Sequence, residues 1–220
     1  MGMFFGPKPD IKGLETRSGT ELNKIIIELK RRDNARFLNL FNYYSVEDPS
    51  LEEVLIDSSC MNLKAKTSNV YISPHEWAFL DVLSRITYFS QFSFMEGLTL
   101  QDKKILFSHN ILRVGLLAGG MRTMQEKRDK MLTPSGEDVY PDVVHRLFKN
   151  SSGILNSICT RVVGRLIELQ VTREEYLLLT LIFFCDPGNS FDFSREASFV
   201  YSYFPFAVIV RKIKASFMEK

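Results

Sequence analysis

Three histidines, three cysteines and a scatter of carboxylates are the residues of this 220-residue chain that could do chemistry. His75, His109 and His145 stand far apart, without the HExxH or HxH spacing that sets two imidazoles on one zinc ion. Cys60, Cys159 and Cys185 are odd in number and widely spaced, with no CxxC pair. That pattern fits neither a disulfide framework nor a zinc site, so reduced thiols are expected. No GxSxG, P-loop or GxGxxG occurs. Asp102 beside Lys103 reads as a structural cap or an interhelical ion pair. His109 lies on an apolar helix and reads as a satisfied core or boundary residue. Cys159, on the apolar face of a helix over 153–170, reads as packing or as pocket lining. The expectation is a non-enzyme with no cofactor and no metal.

Charge and hydropathy narrow the class further. Lysine and arginine number 28 against 26 acidic residues, a net charge of +2. That balance argues against bulk affinity for nucleic acid or membrane surfaces. The basic spots Lys30-Arg31-Arg32 and Lys127-Arg128 read as solvated helix ends. The opening MGMFFGPKP has no secretory pattern, and Gly6 stands where myristoylation needs Ser or Thr. No apolar run reaches the ~18 residues of a membrane span. A cytosolic or nuclear protein is expected. The hydrophobic fraction of 45%, with 18 Phe and 8 Met, provides for a large and plastic interior.

The elements follow from periodicity and punctuation. Residues 1–19 read as a flexible arm, 20–198 as one helical domain and 199–220 as an atypical apolar tail. Leu22, Ile25, Ile26 and Leu29, then Phe37, Leu38, Leu40 and Phe41, predict one or two helices over 21–44. Leu51, Val54 and Leu55 predict a short helical piece, and 57–72 a long polar loop. Pro74 at a first-turn position, after the candidate cap Ser73, opens a helix apolar around nearly its whole circumference. Such a helix must be wrapped by others. Thr99 and Asp102 open a second heavily apolar helix, running to about Gln125. Gly115, Gly119 and Gly120 inside it call for close approach by a helix or a ligand. Residues 131–136 predict a hairpin turn between two short strands. Helices are then predicted over 140–150, over 153–170 and, behind the capping box Thr172–Glu175, over 176–185.

Four stretches carry a resemblance. Phe92-Ser93-Phe94-Met95-Glu96-Gly97-Leu98-Thr99-Leu100-Gln101-Asp102-Lys103-Lys104-Ile105-Leu106 is similar to the signature of nuclear hormone receptor ligand-binding domains across their helices 3 to 5. Residues 132–138, LTPSGED, resemble the hairpin that follows. Residues 171–179, VTREEYLLL, and 182–187, IFFCDP, resemble the start and end of helix 8. The divergent nematode branch is the nearest in character.

The resemblance implies an all-α, three-layer antiparallel helical sandwich with one short β-hairpin, C-terminally truncated because nothing after residue 200 resembles the family's last helices. It implies a pocket for a lipophilic small molecule lined by Leu83, Thr87, Leu112, Leu116, Gly119, Ile158, Cys159 and Val162. It also implies a groove for a coregulator helix walled by Ile86, Ser90, Leu100, Lys103, Lys104 and Phe107, and a receptor dimer partner. Ser90 stands where the family has a groove lysine. Gly119 stands where many members have a ligand-binding arginine, with Arg122 nearly one turn on. Too few cysteines are present for the family's zinc-bearing DNA-binding module, so no direct DNA binding is expected of this chain. The implied function is ligand- or partner-dependent regulation of transcription in the nucleus, or in cytoplasm and nucleus. The alternative is a truncated or degenerate relative acting as a protein-interaction module.

Overall fold

The computed structural model describes residues 11–67, 70–140, 145–146 and 152–186, and for 11–19, 21, 152–156, 158 and 159 the backbone alone. In chain order the elements are α1 (Ile11–Asn42), β1 (Tyr43–Ser45), α2 (Leu51–Ile56), β2 (Leu63–Ala65), α3 (Pro74–Ser90), α4 (Leu100–Gln125), α5 (Ser152–Glu168) and α6 (Arg173–Phe184). The fold is mostly helical and layered. α1 and α3 pack together, α4 and α6 lie against them, and α5 covers the far side of α4.

Local chemistry sets most helix starts. Ser50 with Glu53, Ser73 with Glu76 and Thr172 with Glu175 form reciprocal capping boxes. In each, the hydroxyl accepts the N3 amide at 3.3 Å while the glutamate accepts the cap amide. Thr99 caps α4 by accepting the Asp102 amide at 3.1 Å and donates to the Asp102 carboxylate at 2.7 Å. Such caps contribute about 1 kcal/mol each.

The structure corrects the sequence reading in places. α1 takes in residues 11–19, which the sequence had assigned to the arm. Extending a helix orders one residue per added hydrogen bond, so a well-seeded helix runs on through Gly13 and Gly19. The two-stranded antiparallel sheet is β1–β2, with Tyr43 opposite Ala65 and Ser45 opposite Leu63, inside what had read as helix end and polar loop. The hairpin expected around 131–136 carries a single bridge, Leu132 to Asp138, and its turn places Gly136 at φ +91°, where a side chain would be strained. Of the helix expected over 140–150, residues 145–146 are described, as helix. The expected tail, 199–220, lies outside the described residues.

Aromatic packing holds the layers together. Phe89 of α3 stacks on Phe184 of α6 at 3.7 Å and 7°, and Phe107 of α4 meets Phe184 at 5.0 Å. A second cluster joins Leu29 of α1, Leu117 and Met121 of α4, Leu166 of α5, and Tyr176 and Leu177 of α6. Polar bonds lock the edges. Arg32 of α1 donates to the Gln91 carbonyl at the end of α3 at 2.6 Å and lies over the Phe92 ring. Asn110 of α4, 1% exposed, donates to the Asp186 carbonyl just past α6 at 3.0 Å. Arg31 and Arg32 both bond Glu28 and hold its carboxyl down at about 2.

Gly120 marks the closest approach of two helices. A Cβ there would sit 2.6 Å from a Val162 methyl of α5, whereas at Gly115 the nearest atoms would be 3.9 Å away. The same substitution is therefore expected to act with opposite signs. Gly120→Ala should lower stability in urea titrations by about 1–3 kcal/mol through overpacking. Gly115→Ala should raise it by roughly 0.5–1 kcal/mol through helix propensity.

Candidate functional site

A cavity of about 590 Å³ lies between α1, α3, α4, the 131–140 segment and the start of α6. Its apolar wall includes Phe37, Trp77, Ala78, Val82, Ile111, Leu112, Leu116 and Met131. This cavity explains why α3 is not covered on every side as its sequence suggested. Val82 is 37% exposed and Leu112, from α4, 70%. Gly115 and Gly119 line it as well, and the Met131 sulfur would sit 3.3 Å from a Cβ at Gly119.

Charged residues cross one side of the cavity. Asp81 of α3 takes a two-pronged bond from Arg85, at 2.8 and 2.9 Å, one turn on along the same helix. Arg36 of α1 bonds Asp33 at 2.9 Å and approaches Asp81 at 3.8 Å. Arg173 at the start of α6 bonds Asn34 and reaches Asp33 at 3.5 Å. Arg122 of α4 differs from these. It donates to the Leu132 carbonyl, and among the described residues no carboxylate forms an ion pair with it. Burial lowers its pKa, while Glu126 and Asp81 act on it from further off. Thr133, 3% exposed, and Tyr140 add polar groups near the same end.

The residues expected to line a pocket divide. Leu112, Leu116 and Gly119 line the large cavity. Leu83 and Thr87 line a separate cavity of about 100 Å³ between α1, α3 and β2. Val162 packs over Gly120. The side chains of Ile158 and Cys159 lie outside what is described. The charged residues were missed. Their available signal was acid–base spacing on apolar helices, Asp33 to Arg36 and Asp81 to Arg85, which reads equally well as solvated surface.

The expected groove residues also divide. Ser90 is exposed, and Leu100, Lys103 and Lys104 are half-buried. Ile86 and Phe107 are 3% and 1% exposed, so they are core rather than open wall. The helix α2 lies over this face. Val54 joins the apolar cluster that holds Ile86 and Phe107, and Glu52 bonds Lys104 at 2.7 Å. His109 is exposed and its Nδ1 lies 2.8 Å from the Ile105 carbonyl. Burial pushes the Cys185 thiol up to about 12. No metal-binding cluster of His, Cys, Asp and Glu occurs among the described residues, and none of their helices is long and apolar enough to cross a membrane.

Residues 61–197 match the family of the ligand-binding domain of nuclear hormone receptor. The chain belongs to that family. It is 50% identical over 199 residues to the Caenorhabditis elegans nuclear hormone receptor family member nhr-51, covering 89% of this chain and 53% of that protein. It is 41% identical over 198 residues to nhr-52 of the same organism, covering 90% of this chain and 59% of that protein. The match to nhr-197, also from that organism, is 34% over 203 residues, covering 92% and 60%. The chain thus spans about half to three fifths of the length of these relatives. No solved structure matches it.

Asp81 carries the electrostatics of the cavity side. Asp81→Asn is expected to cost about 2–4 kcal/mol, because it leaves the buried Arg85 without its carboxylate. The double change Asp81→Leu/Arg85→Leu should recover most of that loss. Urea denaturation of the two variants against the parent chain checks both.

Proposed function

We propose that this chain binds a hydrophobic small molecule with one anionic end in the large cavity, and that it serves as a regulatory domain for transcription. The observation that carries this is Arg122: a guanidinium bonded to a carbonyl but to no described carboxylate, at the edge of a largely apolar cavity of about 590 Å³. Cavities of roughly 300–1,000 Å³ suit small-molecule ligands. A half-buried cation without a counter-charge is partly desolvated at a cost, and a ligand carboxylate would supply that charge through two parallel hydrogen bonds. Family membership supports the regulatory role, a nuclear or nucleocytoplasmic location, partner binding through a coregulator helix or a second receptor, and an activity without bond-making chemistry. The proposal assigns Leu112, Leu116 and Gly119 to the apolar wall and Arg122 to the polar end.

Thermal unfolding with hexadecanoic acid and with hexadecanol tests this. The acid is expected to raise Tm by about 5–10 °C at a hundredfold excess over its Kd, and the alcohol by less. Arg122→Met should erase the difference between them. Leu116→Trp, which fills the cavity, should erase both shifts. No shift with either compound would contradict the proposal and favour a protein-interaction module.

A further inference from the structure

A polar stripe of α3 faces α1. On this heavily apolar helix Ser84, Thr87, Tyr88 and Gln91 recur at i, i+3, i+4 and i+7, which is one face. Arg32, Ala35, Arg36 and Asn39 repeat the same spacing on α1. The two stripes meet across the cavity of about 100 Å³, and Leu40, Leu80 and Leu83 form its buried apolar wall. Ala35 and Asn39 are exposed, which sets the mouth of this cavity at the surface.

Most protons on the two stripes are spent within the protein. Arg32 donates to Glu28 and to the Gln91 carbonyl, and Arg36 to Asp33. Ser84 donates to the Asp81 carbonyl at 2.8 Å and Thr87 to the Leu83 carbonyl at 3.0 Å. Tyr88 is the exception. It is 4% exposed, and its hydroxyl has no hydrogen-bond partner among the described residues. Burial raises its pKa, so the phenol keeps its proton. A buried O–H without an acceptor is unfavourable, because folding took its bond to water away. Ser84 and Thr87 have used their protons and retain lone pairs. The space therefore offers one strong donor, two hydroxyl acceptors and an apolar wall.

We propose that this small cavity is a binding site for a hydroxylated small molecule, whose oxygen accepts the Tyr88 proton and whose own proton goes to Ser84 or Thr87. The space holds on the order of three waters, or one short alcohol with its carbons against Leu80 and Leu83. Both guests present the same hydroxyl chemistry. Either one gives Tyr88 its missing partner and completes the seam between α1 and α3. The proposal does not depend on the large cavity holding a ligand.

The test uses the full chain with propan-2-ol, read by saturation-transfer NMR, and crystals grown without alcohol. Transfer to the alcohol is expected in the parent chain and equally in Leu116→Trp, which fills the large cavity instead. It should fall about fivefold in Tyr88→Phe and vanish in Ala35→Leu, which closes the mouth of the small cavity. That result assigns an alcohol as a guest. Where transfer is absent, or is the same in both variants, the crystals decide. A water within about 3 Å of the Tyr88 oxygen assigns water as the guest, and no water there would overturn the proposal. Thermal unfolding reads the same bond for either guest. Tyr88→Phe should lower Tm by about 2–4 °C; a variant as stable as the parent chain, or more so, would overturn the proposal as well.

Discussion

Phe89 lies flat on Phe184 at 3.7 Å, with Phe107 against Phe184, and this contact fixes where α3, α4 and α6 meet. All three rings are at most 1% exposed. Removing a ring from such a site costs about 3–5 kcal/mol, a large share of the roughly 5–15 kcal/mol that stabilises an ordinary domain. The rest is arranged around this point. α1 reaches it through Arg32 at the end of α3, α2 caps the cluster from one side, and Asn110 ties the end of α6 back to α4. The aromatic cluster fills one end of the space between the helices. The other end, beyond Asp81 and Gly115, is the cavity.

Two kinds of polar order coexist in that cavity. Asp33, Arg36, Asp81 and Arg85 neutralise one another and hold α1 to α3. Arg122 stands apart with a carbonyl partner. A buried ion pair is weak evidence for stability, since desolvation offsets much of the attraction. Its broader consequence here is geometric: it keeps charge at a fixed side of an apolar space. Under the proposed function, such a cavity would discriminate among lipophilic molecules by where they carry charge, and its apolar walls would contribute affinity without direction.

Much of the scaffold was legible in the sequence because its signals are local. Ser73, Thr99 and Thr172 announced helix starts through spacing alone, and the structure places a cap at each. Leu51, Val54 and Leu55 announced α2. What was not legible is orientation. α3 is apolar nearly all round and α4 heavily apolar, so periodicity cannot say which face meets the cavity. Leu83 and Thr87, expected to line a pocket, line the small cavity, while Ala78 and Val82 of the same helix line the large one. The β1–β2 pairing joins three-residue strands across a long loop, too short for an alternating pattern to register. The seating of α2 is likewise non-local. It turned Ile86 and Phe107, expected as open groove walls, into covered core.

The central claim is that the large cavity is a binding site for an anionic lipophile. Native mass spectrometry of the full chain purified from eukaryotic cells, beside Leu116→Trp prepared in the same way, tests it most directly. The account predicts a lipid-sized adduct on the parent chain, recovered as an anion after denaturation and missing from Leu116→Trp. Identical spectra for the two proteins, with or without an adduct, would contradict it.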